Sequence, residues 1–291
     1  MSILLNRETK VLVQGITGRA GRAQTRWMLD YGTNIVAGVT PGKKGDEVEG
    51  IPVYDTVAEA VTERGAEASV FFVPPAVVKE ATREAIAAGI RLIVVVTEHV
   101  PVHDVMEIRD FAKGKKVQII GPTSPGIITP GQAKMGIIPG NAFCPGRIGV
   151  ISRSGTLSYE ICVNLKVAGL GQSTVVGMGA DPVVFTSMPA LLELFEKDAD
   201  TDLVVIVGEV GGTQEENAAQ FIAQRMTKPV VAYIAGHSSP EGKRMGHAGA
   251  IIQGGTGTAQ SKTVALERVG VEVAKYPLNV VELVRKRLIS H

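Results

Sequence analysis

One histidine, His247, sits among small residues in Lys243-Arg244-Met245-Gly246-His247-Ala248-Gly249-Ala250, with two cations ahead of it. Small neighbours leave an imidazole reachable and let the backbone move, which a histidine serving two partners in turn requires. Neutral imidazole is a nucleophile near neutral pH, and its phosphorylated form can pass the phosphoryl group onward. A second group is Glu209, an isolated carboxylate in Gly208-Glu209-Val210-Gly211-Gly212, able to orient an imidazole or stabilise its charged form. On these residues alone, a structural histidine and a solvated glutamate fit as well as a reactive pair.

Two glycine- and hydroxyl-rich turns have the chemistry of anion sites. Ser152-Arg153-Ser154-Gly155-Thr156 lies between an apolar run and a helical pattern, where free amides and small hydroxyls can cup an oxyanion or phosphate. A serine nucleophile elbow needs GxSxG, and Ser152 occupies the place of its first glycine; Ser154 or Thr156 acting as a helix cap is the plainer reading. Gln14-Gly15-Ile16-Thr17-Gly18-Arg19-Ala20-Gly21 leaves the first apolar run and opens a helix. Its spacing is GxxGxxG, not the dinucleotide GxGxxG, and the second strand ends in Thr40-Pro41-Gly42-Lys43-Lys44 without the carboxylate that holds a ribose. A nucleotide with several phosphates, such as the 3′-phospho-ADP half of coenzyme A, suits this pattern; NAD(P), or a purely structural glycine turn beside a solvated lysine loop, remain alternatives. No GxxxxGK[ST] is present, so a nucleoside triphosphate would be bound by something else.

These turns need elements to hold them. Short Val/Ile-rich runs at Val11–Gln14, Ile35–Val39, Ser69–Val73, Leu92–Val96 and Val117–Ile120 alternate with helical patterns such as Val77–Ala88 and Val102–Ala112. The runs are continuously apolar, which predicts strands buried on both faces of a parallel sheet, hence a Rossmann-like α/β domain. A second series follows at Ile148–Ser152, Thr174–Met178, Val204–Val207, Val230–Ala235 and, more weakly, Val271–Ala274, with helical patterns at Leu157–Ala168, Pro189–Glu196, Glu215–Gln224 and Val280–Ile289. Between the two, a Pro/Gly-dense stretch suits a connection. The expected division is residues 1–122, a connecting segment 123–146, and residues 147–291. In open parallel sheets ligands bind beyond the carboxyl ends of the strands, which is where all four candidate motifs fall.

Composition removes several functions. Thirty Lys+Arg against 29 Asp+Glu give a net charge of +1, so no electrostatic footprint points to nucleic acid or an anionic membrane. Aromatic residues are 4% of the chain, with one Trp, too few for base-stacking platforms. Cys144 and Cys162 supply neither a disulfide framework nor a CxxC zinc site; a reducing, cytoplasmic setting is expected. No apolar run approaches the ~20 residues of a spanning helix. His99, His103, His237 and His291 lack a setting like that of His247, and none has metal-ligand spacing with a cysteine or carboxylate, so no bound catalytic metal is expected in this chain.

Taken together, KRMGHAGAI, SRSGTLSYE, GEVGG and the opening VLVQGITG…GVTPGK closely resemble the α subunits of the succinyl-CoA synthetase (succinate–CoA ligase) family, over essentially the whole chain. The resemblance implies a CoA-binding Rossmann-like domain followed by a flavodoxin-like ligase domain. It also implies a larger ATP-grasp β subunit, in an αβ or α2β2 assembly, that carries Mg²⁺ and ATP or GTP. It makes His247 the phosphohistidine and Glu209 its orienting partner. Thr17, Gly18, Arg19, Ala20, Lys43, Val96, Thr97 and Glu98 fall on CoA-contacting positions, Tyr159, Thr123 and Ser124 on the substrate side, and Ser154, Gly155 and Thr156 at the helix that receives the phosphate. The implied reaction is succinate + CoA + NTP ⇌ succinyl-CoA + NDP + phosphate through an acyl phosphate; the same chemistry on malate, citrate or another dicarboxylate, or a non-catalytic CoA-binding subunit, are the alternatives. Some positions depart from the family's pattern. Ala23-Gln24 replace a Phe-His pair, Thr123-Ser124 stand in a GPNCPG- or GPNTPG-like stretch, and Ala180 and Phe185 replace glycines in a loop expected near the phosphate and the acid. A side chain there is costly wherever φ must be positive.

Overall fold

The structure, a computed structural model, describes residues 2–289; His291 lies outside the described residues. The first sheet contains β1 (Val11–Gln14), β2 (Ile35–Val39), β3 (Glu47–Val48), β4 (Ile51–Tyr54), β5 (Ala68–Phe71), β6 (Leu92–Val95) and β7 (Gln118–Ile120), in the order β3-β4-β2-β1-β5-β6-β7. Its strands are parallel except for the short β3–β4 hairpin. Helices α1 (Arg19–Tyr31), α2 (Val57–Arg64), α3 (Val78–Ala87) and α4 (Val102–Ala112) connect them. β1, β5 and β6 are buried along their whole length, as continuous apolar runs require. Strand order reverses at β1, so the exits of β1 and β5 form the crevice where a ligand enters a Rossmann-like fold.

The second sheet contains β8 (Gly126–Thr129), β9 (Ala133–Gly136), β10 (Pro145–Ser152), β11 (Gln172–Gly177), β12 (Leu203–Glu209), β13 (Val230–Ala235) and β14 (Glu272–Ala274), in the order β14-β13-β12-β10-β11-β8-β9. From β10 to β14 this is the flavodoxin-like order, all parallel, and α5 (Gly155–Val167), α6 (Met188–Lys197), α7 (Gln214–Arg225), α8 (Ala259–Glu267) and α9 (Asn279–Ile289) cover it. Here the order reverses at β10, so the exits of β10 and β12 make the second crevice.

The stretch 123–146, expected as a bare connection, carries more structure than that. It contains the antiparallel β8–β9 hairpin, which adds to the edge of β11. Gly126 (φ 116°) and Gly136 (φ 107°) face each other across it, and a side chain at Gly126 would strike the Met135 carbonyl at 2.0 Å. The hairpin is also stitched to the first half: Thr129 Oγ1 donates to Leu5 O at 2.5 Å and Thr33 Oγ1 to Lys134 O at 2.8 Å. One continuous apolar cluster runs from Val13, Val70 and Val94 through Ile120, Ile127 and Met135 to Ile151 and Val176, so the two sheets share a core.

Candidate functional site

In the first crevice, Gly15 has φ 77° and a Cβ there would lie 2.6 Å from the Phe72 carbonyl, so only glycine lets β1 exit against β5. Gly21 sits equally close to the turn, with 2.1 Å from a would-be Cβ to Gly15 O. Gly18 is the N-cap of α1 and supplies no side-chain cap, which leaves the first-turn amides free for an anion. Thr17 and Gly18 line a cavity of about 820 Å³ with Gln14, Thr40, Phe72 and Val73. Arg19 and Ala20 are exposed on the first turn beside it. Thr97 Oγ1 donates to Val73 O at 2.8 Å, which brings the Val96-Thr97-Glu98 turn alongside the exit of β5. The lysine pair separates: Lys44 is ion-paired with Glu59 at 2.6 Å, whereas the Lys43 amide bonds Asp55 and its ammonium group is exposed.

The second crevice is polar and tightly bonded. His247 Nδ1 meets Glu209 Oε2 at 2.8 Å. A carboxylate only accepts, so Nδ1 carries a proton, and in the neutral imidazole Nε2 is left with its lone pair. This hydrogen bond raises the imidazole above its ordinary value, against an opposing effect of partial burial. Glu209 ends β12 and is 6% exposed. Behind it lies Arg153, 4% exposed, whose guanidinium donates to Glu209 O at 3.0 Å, Gly211 O at 2.8 Å and Glu215 Oε1 at 3.1 Å, and stands 3.6 Å from Glu209 Oε1. Glu215 and Lys262, both 0% exposed, form an ion pair; Glu215 also accepts from the Glu209 amide at 3.1 Å, and Lys262 donates to Gly212 O at 3.1 Å. The turn that presents Glu209 is thus held by a buried, charge-balanced cluster, as buried charges must be. Beside it Ser154 caps α5, accepting from Leu157 N at 3.4 Å. That bears out the plain capping reading, and it leaves the Gly155 and Thr156 amides without intrahelical partners.

Models of two families match the chain: a CoA binding domain over residues 6–99 and a CoA-ligase over residues 151–271. The chain is 55% identical over 288 residues to succinate–CoA ligase [ADP-forming] subunit alpha 2 of Archaeoglobus fulgidus, covering 99% of this chain and 100% of that one. It is 52% identical to the corresponding alpha subunit of Aquifex aeolicus, covering 99% and 95%. The chain belongs to the succinate–CoA ligase α-subunit family. Among solved structures, ATP citrate lyase from Methanothrix soehngenii, in complex with citrate and coenzyme A, superposes with a TM-score of 0.87 at 26% identity. That match covers 98% of this chain but only 52% of the other, so the chain spans about half the length of that solved relative.

Positions where the chain departs from the family's pattern resolve differently from expectation. Neither Ala180 nor Phe185 has a positive φ; the left-handed residue in that loop is Gly179, at φ 105°. The expected backbone cost at those two positions is therefore absent. Phe185 packs with Val183 against the apolar core on one face of the first sheet, its amide donates to Gly121 O at 2.9 Å, and the adjoining Thr186 Oγ1 bonds Gln118 at 2.6 Å. This half of the loop docks one half of the molecule on the other and does not line the crevice. Ser124, expected on the substrate side, is 2% exposed and committed within the fold: its hydroxyl donates to Gly177 O at 2.5 Å and accepts from Gly126 N at 2.9 Å. Thr123, at φ 55°, is half-buried and donates its hydroxyl to Asp181 Oδ1 at 2.9 Å. Tyr159 stacks edge-on with Phe143 near Gly155, and burial pushes its phenol up to about 12. Sequence reading assigned no role to Arg153, Glu215, Lys262 or Asp181; a lysine and a glutamate on helices read as solvated faces, and only burial distinguishes these.

Proposed function

We propose that the chain is the α subunit of an ADP- or GDP-forming succinate–CoA ligase, converting succinate, CoA and a nucleoside triphosphate to succinyl-CoA, nucleoside diphosphate and phosphate. In this reading residues 1–122 hold CoA, residues 147–291 carry the phosphoryl relay, and 123–146 join them. The observation that carries it is the His247 Nδ1–Glu209 contact at 2.8 Å beside the open first turn of α5. Glu209 fixes the Nδ1–H tautomer, so Nε2 is the nucleophile that takes the phosphoryl group, and the carboxylate stabilises the charged imidazole ring that results. The amides of Gly155 and Thr156 neutralise phosphate charge there. The phosphoryl group then passes to the carboxylate of the acid, and the acyl phosphate is captured by the thiol of CoA, whose nucleotide end occupies the cavity at Thr17 and Gly18 with Arg19, Ala20, Lys43, Val96, Thr97 and Glu98 around it. Nucleotide and Mg²⁺ belong to an ATP-grasp β subunit, in an αβ or α2β2 complex. Two free cysteines fit a reducing cytoplasm, and among the described residues no helix is long and apolar enough to cross a membrane.

One observation favours a different dicarboxylate, such as malate or citrate: the substrate-side stretch carries a hydroxyl at Thr123, held on Asp181 Oδ1 at 2.9 Å. The test is thioester formation by the chain purified with its cognate partner, over a panel of succinate, malate and citrate with ATP or GTP. Succinate giving the highest kcat/KM supports the proposal; a preference for another acid moves it to that acid, and no thioester from any acid by a complex that binds CoA overturns it in favour of a regulatory subunit.

A further inference from the structure

The Gly179–Asp181 turn lies on the seam between the two crevices, against Gly121 and Pro122 on one side and Gly249 on the other. Gly249 N donates to Ala180 O at 2.9 Å, and a Cβ on Gly249 would lie 2.9 Å from the Asp181 carbonyl carbon. The loop that carries His247 therefore rests on the Asp181 backbone. Across the seam, Asp181 Oδ1 accepts from Thr123 Oγ1, while no donor among the described residues bonds Oδ2, which is not sealed from solvent. The titratable groups that face Asp181 are Glu98 and His99 from the turn after β6, on the CoA side, and His247 from the loop after β13.

We propose that Asp181 is the base that removes the proton from the CoA thiol as the thiol attacks the acyl phosphate. This rests on His247 being the phosphoryl carrier, because that places the acyl phosphate on one side of Asp181 while the thiol arrives from the other. A thiol with a reference pKa of about 8.5 is mostly protonated at neutral pH and a poor nucleophile in that form. Of the groups facing the seam, His247 is engaged with Glu209, and Glu98 and His99 are largely exposed, 3.9 Å from one another. Asp181 is half-buried, with one oxygen pinned and the other open. Burial holds its carboxyl above the usual carboxylate range, with the Thr123 hydrogen bond opposing, and a higher pKa makes it a better match for a thiol. In the step, the S–H proton goes to Asp181 Oδ2, the sulfur lone pair forms the C–S bond, and the C–O bond to phosphorus breaks with its electron pair leaving on phosphate. Asp181 then returns its proton to solvent.

Asp181→Asn in the complex with the partner subunit separates the steps. Loading of phosphate on His247 from ATP is expected within twofold of wild type. CoA-dependent discharge at pH 7 should fall about 10²-fold or more, with acyl phosphate accumulating and trapped by hydroxylamine as hydroxamate. The defect should shrink about tenfold per pH unit as the solution approaches the thiol pKa, since thiolate then forms without a base. Asp181→Glu should restore part of the rate. Thr123→Val, a milder change, removes the hydrogen bond that lowers the Asp181 pKa and should move the pH midpoint of discharge upward. Discharge within twofold of wild type at pH 7, a defect independent of pH, or loss of His247 loading together with discharge would each overturn the role of Asp181. Failure of wild-type His247 to load would instead remove the reading on which it rests.

Discussion

The two crevices of this molecule share one architecture and differ in what fills it. Each lies where strand order reverses in a parallel sheet, and each follows a strand into the N-terminus of a helix, α1 at Gly18 and α5 at Ser154. The first is a roomy cavity lined at its glycine turn by neutral groups and on its α3 side by Glu80, Arg83 and Glu84, with Arg19 and Lys43 exposed on the turns beside it. The second has four charged side chains nine-tenths or more buried at the turn that presents Glu209, Glu209 among them. The topology provides a place for an anion in both; the buried charges turn one of them from a binding site into a site that can hold a reactive group still. Binding a large, flexible ligand needs room and backbone donors, whereas aligning one nitrogen needs a rigid partner.

Changes confined to one crevice test this division. The largest effect is expected for Lys262→Met, which removes one of the two buried cations on Glu215 and leaves the cluster with an excess of buried negative charge; about 3–5 kcal/mol of stability should be lost in urea unfolding, with the second crevice losing hydrogen-exchange protection first. Gly15→Ala forces a side chain into a left-handed position against the Phe72 carbonyl and should cost about 1–2 kcal/mol. Seen by calorimetry, CoA affinity should fall about tenfold while His247 loading from ATP is unchanged; an equal loss of both would mean the crevices are not separate.

Glu209→Gln acts on the other side. The Glu209 hydrogen bond raises the His247 pKa above 6.5, and only neutral imidazole attacks, so wild-type loading should rise with pH through a midpoint above that value. In the variant the midpoint should drop toward 6.5 and the plateau fall about tenfold or more, as expected when an orienting carboxylate is lost. The linkage has the matching sign: a raised histidine pKa contributes stability that is full below about 6.5 and lost as pH rises through the raised value, and the variant should lack that pH dependence. The smallest effect is expected for Ala180→Gly. Since Ala180 is not left-handed, restoring glycine should bring no relief of strain, a destabilisation of about 0.5–1 kcal/mol from added chain entropy, and no change in the preferred acid.

How far the sequence could be read followed from how local each signal is. The strand runs were legible because a strand buried on both faces must be apolar throughout, and the helix openings because glycine and serine mark them. His247 and Glu209 were legible as types, not as a pair, for 38 residues separate them and only the adjacency of β12 and β13 brings their loops together. The β8–β9 hairpin was hidden because Gly126, Gly136 and Lys134 break the alternation that normally marks a strand. The charge cluster was hidden for a different reason: Lys262 and Glu215 are ordinary helix residues until burial is known. Phe185 read as a change near the substrate, and is instead an apolar anchor between the halves.

The central claim is that His247 carries the phosphoryl group on Nε2 while Glu209 holds Nδ1. It is tested most directly by intact-mass and acid-lability measurement on the chain in complex with its partner after exposure to Mg²⁺ and ATP or GTP, with His247→Asn beside it and phosphorus NMR to assign the nitrogen. One acid-labile phosphoryl group on Nε2, absent from the variant and discharged by CoA plus the acid, is the predicted result. An acid-stable increment, one that persists in His247→Asn, or a phosphoryl group on Nδ1 would contradict it.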